Sequence, residues 1–312
     1  TDIVRHFSQA SSIQIPEGHF FPRVSIIYCE ANKCYLAIGK EKAQNKFPSL
    51  YKSIDGINWK KVNKNLKFKF ADDPNRKIES IPVVFPFEQG LFYDKWDINS
   101  SRRYKMIIWP YQKGIEGGNG LIACSPDGIN WEINKKYIWF KNFNGSDTNN
   151  NIFYNPFTKR WCVICRKRNT DRRIAVTESN DLENWSEPRI ILHPDALDPS
   201  LLQFYGMVAT LYEEEYFIGI LQCFHVPNIE IREWPKGRIK KQGKVDAQLS
   251  YSYDGQYWLR SDRSKIIPES EPGSYGSSGI YPFSIVNSPD KKNIYIYSIG
   301  ALLDHSKCGK PS

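Results

Sequence analysis

The sequence predicts an all-β fold, on three observations. Aromatic residues make up 14% of the 312 residues, and 20 Gly and 19 Pro punctuate the chain, a composition that favours strands and turns over helices. Apolar and polar residues alternate in many short runs, and no stretch keeps the spacing of an amphipathic helix. A seven-residue motif also occurs four times, which indicates a repeated structural unit.

The repeated motif has the pattern S-x-D-[G/L]-x-x-W. An Asp-Gly pair suits a tight turn, because Gly tolerates positive φ and the Asp carboxylate accepts hydrogen bonds from the N–H groups that follow it. The Trp then gives the returning strand a large apolar anchor. The motif therefore predicts the outer hairpin of a sheet rather than a catalytic site, and its copies lie at 53–59, 125–131, 179–185 and 252–258.

The spacing of the motif predicts the architecture. Successive motif serines are 72, 54 and 73 residues apart, which is close to a four-stranded propeller blade with variable loops. A fifth strand-rich unit without a motif follows from about Pro268 to Leu303. We therefore predict a single domain over residues 1–312, a five-bladed β-propeller of four-stranded antiparallel blades. The blades are expected at about 19–62, 79–140, 147–192, 200–262 and 275–303, and residues 1–18 are a candidate for closing the ring.

The charge and hydropathy of the chain restrict its partners. The formal net charge is +9, but the Lys and Arg residues are spread among turns without a recognition helix, so a carbohydrate, including an anionic one, is favoured over nucleic acid. No run of 18 apolar residues occurs, so no membrane span is expected. The oligomeric state stays open, and a secreted or periplasmic location is slightly favoured over a cytoplasmic one.

The cysteines argue against a metal or redox centre. Cys162 and Cys165 form a C-x-x-C inside one strand, where a three-residue offset places them on opposite faces, and no second ligand pair has suitable spacing. Cys29 and Cys34 bracket a four-residue turn, so they are candidates for a disulfide in an oxidising compartment. No cofactor is expected, although a Ca²⁺ held in a channel by carbonyl groups and water would leave no motif.

The third motif copy gives the chain a resemblance to a known group. The run 179–188, preceded by the strand at 174–177, resembles the blade ending of the five-bladed β-propeller glycosidases of glycoside hydrolase families 32, 43, 68 and 117. The other three copies share this ending with Gly in place of Leu. The sialidase Asp-box is similar, but each copy here is one residue shorter between Asp and Trp. The resemblance covers residues 21–297 and matches no single family.

The resemblance implies an active site at one end of a central channel, where acidic residues of successive inner strands converge. Glycoside cleavage needs one carboxylic acid to protonate the leaving oxygen and one carboxylate to activate water or attack the sugar. We predict Asp147 as base or nucleophile, Glu79 as acid and Asp246 as modulator or hydroxyl ligand, although the roles are interchangeable. The alternatives are an Asx-turn for Asp147, a solvated loop end for Glu79 and a solvent-facing strand for Asp246.

Substrate contacts are expected from polar and aromatic residues near the same strand starts. The histidines among them are sugar ligands or hydrogen-bonded structural residues. The expected function is a glycoside hydrolase-like enzyme that cleaves or transfers a sugar residue, and the alternative is a non-catalytic carbohydrate-binding or interaction propeller on the same scaffold. The candidate substrate-binding residues are His19, Arg23, Trp109, Asn149, Arg166, Tyr205, His225 and Tyr275.

Overall fold

The computed structural model describes residues 24–39, 48–63, 66–72, 83–110, 119–140, 146, 148–168, 171–226, 243–260, 262–274 and 276–302, without the side chains of 63, 83–89, 109, 110 and 168. No helix in these ranges is long and apolar enough to cross a membrane. The described residues form a short 3₁₀ turn at Ser100–Arg102 and the following strands: β1 (Val24–Cys29), β2 (Cys34–Gly39), β3 (Ser49–Ser53), β4 (Lys60–Asn63), β5 (Lys67–Phe70), β6 (Val83–Tyr93), β7 (Tyr104–Pro110), β8 (Gly120–Ser125), β9 (Asn130–Phe140), β10 (Asn151–Asn155), β11 (Arg160–Arg168), β12 (Arg172–Ser179), β13 (Arg189–Leu192), β14 (Leu202–Tyr212), β15 (Tyr216–His225), β16 (Lys244–Ser252), β17 (Gly279–Asn287) and β18 (Ile294–Ala301).

These strands form four hydrogen-bonded sheets, in the orders β1-β2-β3-β4, β6-β7-β8-β9-β5, β10-β11-β12-β13 and β14-β15-β16-β17-β18. Neighbours are antiparallel except for the pairs β5–β9 and β16–β17. The predicted all-β propeller with antiparallel blades is confirmed, but the prediction of five blades is wrong, because the described strands make four sheets. The expected fifth unit, β17–β18, joins the fourth sheet through the parallel pair of Val245 and Gly279.

The innermost strands β1, β6, β10, β14 and β17 surround a common axis. Each contacts the next one in this order, and β17 contacts β1. Side chains satisfy backbone groups across these contacts: the Ser25 hydroxyl accepts a 2.9 Å hydrogen bond from the Gly90 amide, and the Ser284 hydroxyl accepts a 3.1 Å bond from the Ile26 amide. Buried N–H groups need such partners when no strand ladder is available. The inner strands therefore define a channel with two ends, one where they start and one where they finish.

The core lies between neighbouring sheets, in separate apolar clusters. Met106 and Trp131 of the second sheet, for example, pack with Leu36 of the first. Cys162 and Cys165 belong to different clusters, which confirms that they point to opposite faces of β11. The six described cysteines are free and buried, and Cys29 lies directly opposite Cys34 in the register of β1 and β2, as predicted.

The repeated motif forms the turn that follows the third antiparallel strand of each sheet, as expected for an outer hairpin. In the first copy Ser53 donates to Asp55 at 2.8 Å, and the Asp55 carboxylate accepts from the amides of Ile57 and Asn58 at 2.9 and 2.8 Å. The glycine positions have φ near +75°, and Leu182, which replaces Gly in the third copy, has φ of 69°. The hydrogen bonds from Asn58 hold the pKa of Asp55 well below its usual value, so these aspartates serve the turns.

Candidate active site at the start of the inner strands

A bulge at the start of β14 presents an aromatic ring at one end of the channel. The pairing of β14 with β15 shifts between Phe204 and Gly206, so Tyr205 is an extra residue in the strand. Bulges break the regular alternation of side chains and often lie next to functional sites. The Tyr205 ring lies 6.0 Å, between centroids, from the rings of Phe224 and Tyr281. Three strands of the fourth sheet thus place an aromatic cluster where the inner strands begin.

Two buried arginines of the third sheet lie against this aromatic cluster. The Arg166 guanidinium lies 4.9 Å from the centre of the Tyr205 ring and donates to the Tyr205 carbonyl at 3.3 Å. The Arg172 guanidinium lies 5.7 Å from the same ring and donates to the Gln203 side-chain oxygen at 2.8 Å. Cation–π contacts of this kind gain strength when water is excluded. Two positive charges are therefore fixed at this end of the channel.

A carboxylate–imidazole pair lies at the same end of the fourth sheet, at the end of β15 and the start of β16. His225 Nε2 is 2.9 Å from Asp246 Oδ2, and the His225 side chain is 37% exposed while that of Asp246 is 6% exposed. The second carboxylate oxygen, Oδ1, is buried without a hydrogen-bond partner among the described residues. Lys265 Nζ is 3.9 Å from Oδ2. A buried carboxylate thus orients an imidazole that solvent reaches.

Amide side chains connect the third sheet to β15 and β17 at the same end. The Asn149 and Gln222 side-chain amides both donate to the Pro282 carbonyl, at 2.9 and 2.6 Å. Their oxygens, together with the Thr148 hydroxyl, are buried without a partner in the described part of the chain. A Cβ built on Gly206 would lie 3.0 Å from Thr148 Oγ1 and 3.1 Å from Gln222 Oε1. Gly206 is therefore required for the close approach of these groups.

A second acid near the start of β14 is neutralised by arginines. Arg260 donates to both carboxylate oxygens of Asp198, at 2.9 and 2.6 Å, and Arg263 lies 2.7 Å away. Burial raises the pKa of Asp198, but the hydrogen bonds from Arg260, the Asp195 amide and Arg263 lower it to about 2. Asp198 is therefore a fixed ion-pair partner rather than an acid available for proton transfer.

The structure brings five of the predicted site residues to one end of the channel. These are Asn149, Arg166, Tyr205, His225 and Asp246. Asp246, Gln248 and Ser250 are all buried, so the polar face of β16 is internal rather than solvated. Trp109, another predicted site residue, lies in β7, but its side chain is outside the described part of the structure. The predicted residues that lie outside the described residues are His19, Arg23, Glu79, Asp147 and Tyr275.

Sequence reasoning missed three polar residues at this end, namely Arg172, Gln203 and Gln222. Each occupies a strand position whose neighbours are apolar or ordinary surface residues, and no short motif marks it. A buried, charged or amide side chain inside a strand needs a partner, and that requirement is the signal that singles out Arg172 and Gln222. Their actual partners lie on other strands, so the pairing itself was not readable from the sequence.

The comparisons with known proteins concern the fold. No protein-family model and no curated protein sequence matches the chain. A thermostable family-43 glycoside hydrolase matches with a TM-score of 0.57 and 12% identity over 88% of this chain and 82% of that chain. An endo-arabinase from Bacteroides thetaiotaomicron matches with a TM-score of 0.56 and 12% identity, over 94% of this chain and 95% of that chain. An N-acetylgalactosamine deacetylase from F. plautii matches with a TM-score of 0.54 and 16% identity, over 86% of this chain and 76% of that chain.

These likenesses agree with the blade ending that the sequence shares with propeller glycosidases. The matched proteins are all much less than 25% identical to this chain, so the agreement concerns architecture and not residues of the site. The chain has a β-propeller fold and matches no single family.

Proposed function

We propose that this chain is a glycoside hydrolase-like enzyme that cleaves or transfers a sugar residue where the inner strands start. The observation that carries the proposal is that Asn149, the contact of Arg166 with Tyr205, and the His225–Asp246 pair all lie at that end. An aromatic face, amide groups and a carboxylate–imidazole pair are the groups that bind and polarise a hydroxyl-rich ring. Structural neighbours named as a glycoside hydrolase and an endo-arabinase support the same class of substrate.

The catalytic carboxylates in this proposal are Asp147 and Glu79. Asp147 acts as base or nucleophile and Glu79 as the acid that protonates the leaving oxygen. Ser146 and Thr148, the neighbours of Asp147 in the chain, are both buried next to the site, and Ser146 Oγ accepts a 3.1 Å hydrogen bond from the Arg166 amide. The burial of both chain neighbours beside the site supports Asp147 as a catalytic candidate.

Asp246 has the role of modulator in the same proposal. Its Oδ2 orients the His225 imidazole, which then presents its other nitrogen to a sugar hydroxyl. Its other oxygen, Oδ1, is buried without a hydrogen-bond partner among the described residues, which leaves it free to accept a hydrogen bond from a sugar hydroxyl.

The alternative is a carbohydrate-binding propeller without catalysis. The observation that favours it is the shortage of available acids among the described residues at this end: Asp246 is already engaged by His225, and Asp198 is held by Arg260 and Arg263. The deacetylase among the structural neighbours also shows that this fold is not restricted to glycoside cleavage. Turnover therefore has to be measured together with binding.

The test compares wild type with Asp147→Asn, Glu79→Gln and Asp246→Asn on aryl glycosides and on arabino-, xylo- and fructo-oligosaccharides. Loss of a catalytic acid or base is expected to lower kcat by about 10²–10⁴-fold. Glu183→Gln, an exposed acid in an outer turn, is the matched control and is expected to keep full activity. Wild-type binding without turnover would establish the alternative, and full activity of both Asp147→Asn and Glu79→Gln would refute the assignment of the acids.

A further inference from the structure

A cavity lies at the opposite end of the channel, where the inner strands finish. Its volume is about 610 Å³, and its walls come from the last residues of β1, β6, β14 and β17, from most of β10 and from the turns that follow these strands. Tyr205 lies near the start of β14 and Tyr212 at its end, so the rim of this far-end cavity is about 20 Å from Tyr205 at roughly 3.3 Å per residue. Its opening faces away from the candidate active site, and all of its lining residues are described.

The interior of the far-end cavity is apolar and aromatic. Ile26, Leu91 and Ile285 are among the residues that line it, and the Trp96 ring stacks on Tyr154 with centroids 5.6 Å apart and an interplanar angle of 28°. Tyr28, Tyr93 and Tyr212 are further lining residues. Partly exposed Tyr and Trp side chains combine an apolar face with a polar edge, which suits ligands that have both.

The rim of the far-end cavity is charged but balanced. The charged residues that line it are three glutamates and three lysines, namely Glu30, Glu213, Glu214, Lys33, Lys95 and Lys291. Lys95 Nζ lies 2.5 Å from a Glu214 oxygen and 3.5 Å from a Glu30 oxygen, and 5.0 Å from the centre of the Trp96 ring. Because the positive and negative charges cancel, the rim offers hydrogen bonds of both polarities without selecting a charged ligand.

A row of tyrosines leads from the rim across the fourth sheet. The Tyr212 ring, which lines the cavity, is 5.5 Å from that of Tyr216, and the Tyr216 ring is 6.4 Å from that of Tyr253. Tyr253 is 69% exposed. Tyr212 and Tyr216 are half-buried, and a contiguous aromatic surface of this kind is a feature of binding sites. The row extends the cavity into an open platform.

We propose that the far-end cavity and the tyrosine row form a second, non-catalytic site that binds a neutral glycan. One end of the glycan occupies the cavity, where the edge of Trp96 and the lining tyrosines contact a sugar ring and the rim residues bond its hydroxyl groups. The following sugar residues lie on Tyr216 and Tyr253. The charge balance of the rim favours a neutral ligand, and the aromatic row suits a ligand longer than one ring. This site does not depend on the proposed catalysis.

The test is binding of neutral probes by isothermal titration calorimetry, with arabinotriose, xylotriose and 1-kestose, and by retardation in gels that contain arabinan, xylan or inulin. Trp96→Ala and Tyr253→Ala are each expected to weaken binding about tenfold, the effect of one lost aromatic contact. Because Tyr253 is exposed, its replacement is expected to leave the fold intact. Tyr253→Ala therefore tests the proposal even if Trp96→Ala unfolds the protein. Tyr257→Ala, on the same sheet and 76% exposed, is the matched control and is expected to bind like wild type.

Asp246→Asn separates this site from the candidate active site. It is expected to leave the binding of at least one probe unchanged while Tyr253→Ala weakens it, whether or not the protein turns over any glycoside. The proposal is overturned if wild type binds none of the probes, if Trp96→Ala and Tyr253→Ala bind them as wild type does, or if Asp246→Asn alone abolishes binding.

Discussion

At the scale of single residues, the partners of a carboxylate decide whether it is available for chemistry. Asp198 and Asp246 both belong to the fourth sheet or its entry, and both are buried or nearly so. Asp198 meets two arginines, whereas Asp246 meets one imidazole and a more distant lysine, Lys265, and keeps an oxygen without a described partner. The sequence around each acid gives no indication of this difference, because Arg260, the partner of Asp198, lies 62 residues further along the chain.

The arginine partners of Asp198 make stability sensitive to acid. The pKa of Asp198 is about 2 in the folded state and about 3.9 in the unfolded state. Its ionised form therefore adds about 2 kcal/mol to the free energy of unfolding above the unfolded pKa, and this is lost as the pH falls towards 2. Urea unfolding from neutral pH to pH of about 2 measures it. Asp198→Asn is expected to be less stable at neutral pH and less sensitive to acid, and an unchanged pH dependence would contradict the assignment.

A buried ion network around Lys105 predicts a second effect on stability. The fully buried Lys105 ammonium donates to Asp94 and Asp97, each at 2.8 Å, and Trp161 donates to the same Asp94 oxygen at 2.7 Å. Lys105→Met removes the cation of the buried Asp94 carboxylate, while Asp97 keeps Arg102 at 3.1 Å, so we expect a loss of about 3 kcal/mol in urea unfolding.

The matched control for this network is Lys69→Met. Lys69 lies 3.2 Å from Glu132 in a pair that is about half exposed on both sides, and its loss is expected to cost less than about 1 kcal/mol. An equal loss of unfolding free energy in the two variants would show that the buried network stabilises the fold no more than an exposed ion pair does.

At the scale of elements, the four outer turns share one geometry in different surroundings. Gly56 and Gly128 have φ of 77° and 76°. A Cβ on Gly56 would lie 2.8 Å from the Tyr297 hydroxyl, whereas one on Gly128 would lie 3.8 Å from its nearest neighbour. The two positions therefore carry the same backbone strain and different steric demands.

Replacing each glycine by alanine separates strain from crowding. Gly128→Ala is expected to lower the free energy of unfolding by about 1 kcal/mol, the penalty for a side chain at positive φ. Gly56→Ala is expected to cost more, because Tyr297 also donates to the Gly56 carbonyl at 3.0 Å and has to move. Thermal and urea unfolding measure both variants. An equal loss of unfolding free energy in the two would contradict the predicted clash with Tyr297.

Local elements were predictable from the sequence and the site was predictable in part. The outer turns were found because every hydrogen bond of Asp55 lies within a few residues of it. The position of Tyr205 was predicted, but not its bulge, since that depends on register with β15. The contact of Arg172 with Gln203 joins two sheets and leaves no local trace. Short-range chemistry can be read from a sequence, whereas contacts between blades depend on the assembled ring.

At the scale of the whole molecule, the spacing of the motif gave the propeller but not the number of hydrogen-bonded sheets. The pair of Val245 and Gly279 that merges β17–β18 with the fourth sheet depends on how two units are placed side by side. The inner strands are nevertheless in contact all the way around the axis. Side chains rather than backbone ladders make the polar contacts between β1 and β6 and between β1 and β17.

The hydrogen bond between β1 and β17 predicts the effect of one further substitution. Ser284→Ala leaves the buried Ile26 amide without its acceptor, so a loss of about 1–3 kcal/mol is expected. Faster hydrogen exchange at the Ile26 amide than in wild type identifies this bond as the cause. Ser200→Ala, at an exposed position, is the control and is expected to change neither quantity. Unaltered exchange at Ile26 would mean that water replaces the hydroxyl.

The bond from Ile26 to Ser284 spans 258 positions of the chain, which has a consequence for synthesis on the ribosome. The first sheet can assemble early, but its inner edge has to wait until almost all of the described chain has emerged. During that interval Ser25 and Ile26 present an uncovered strand edge, which is a template for pairing with other chains. The ring can close only when β17 arrives, so this edge stays uncovered while the 258 positions between Ile26 and Ser284 are synthesised.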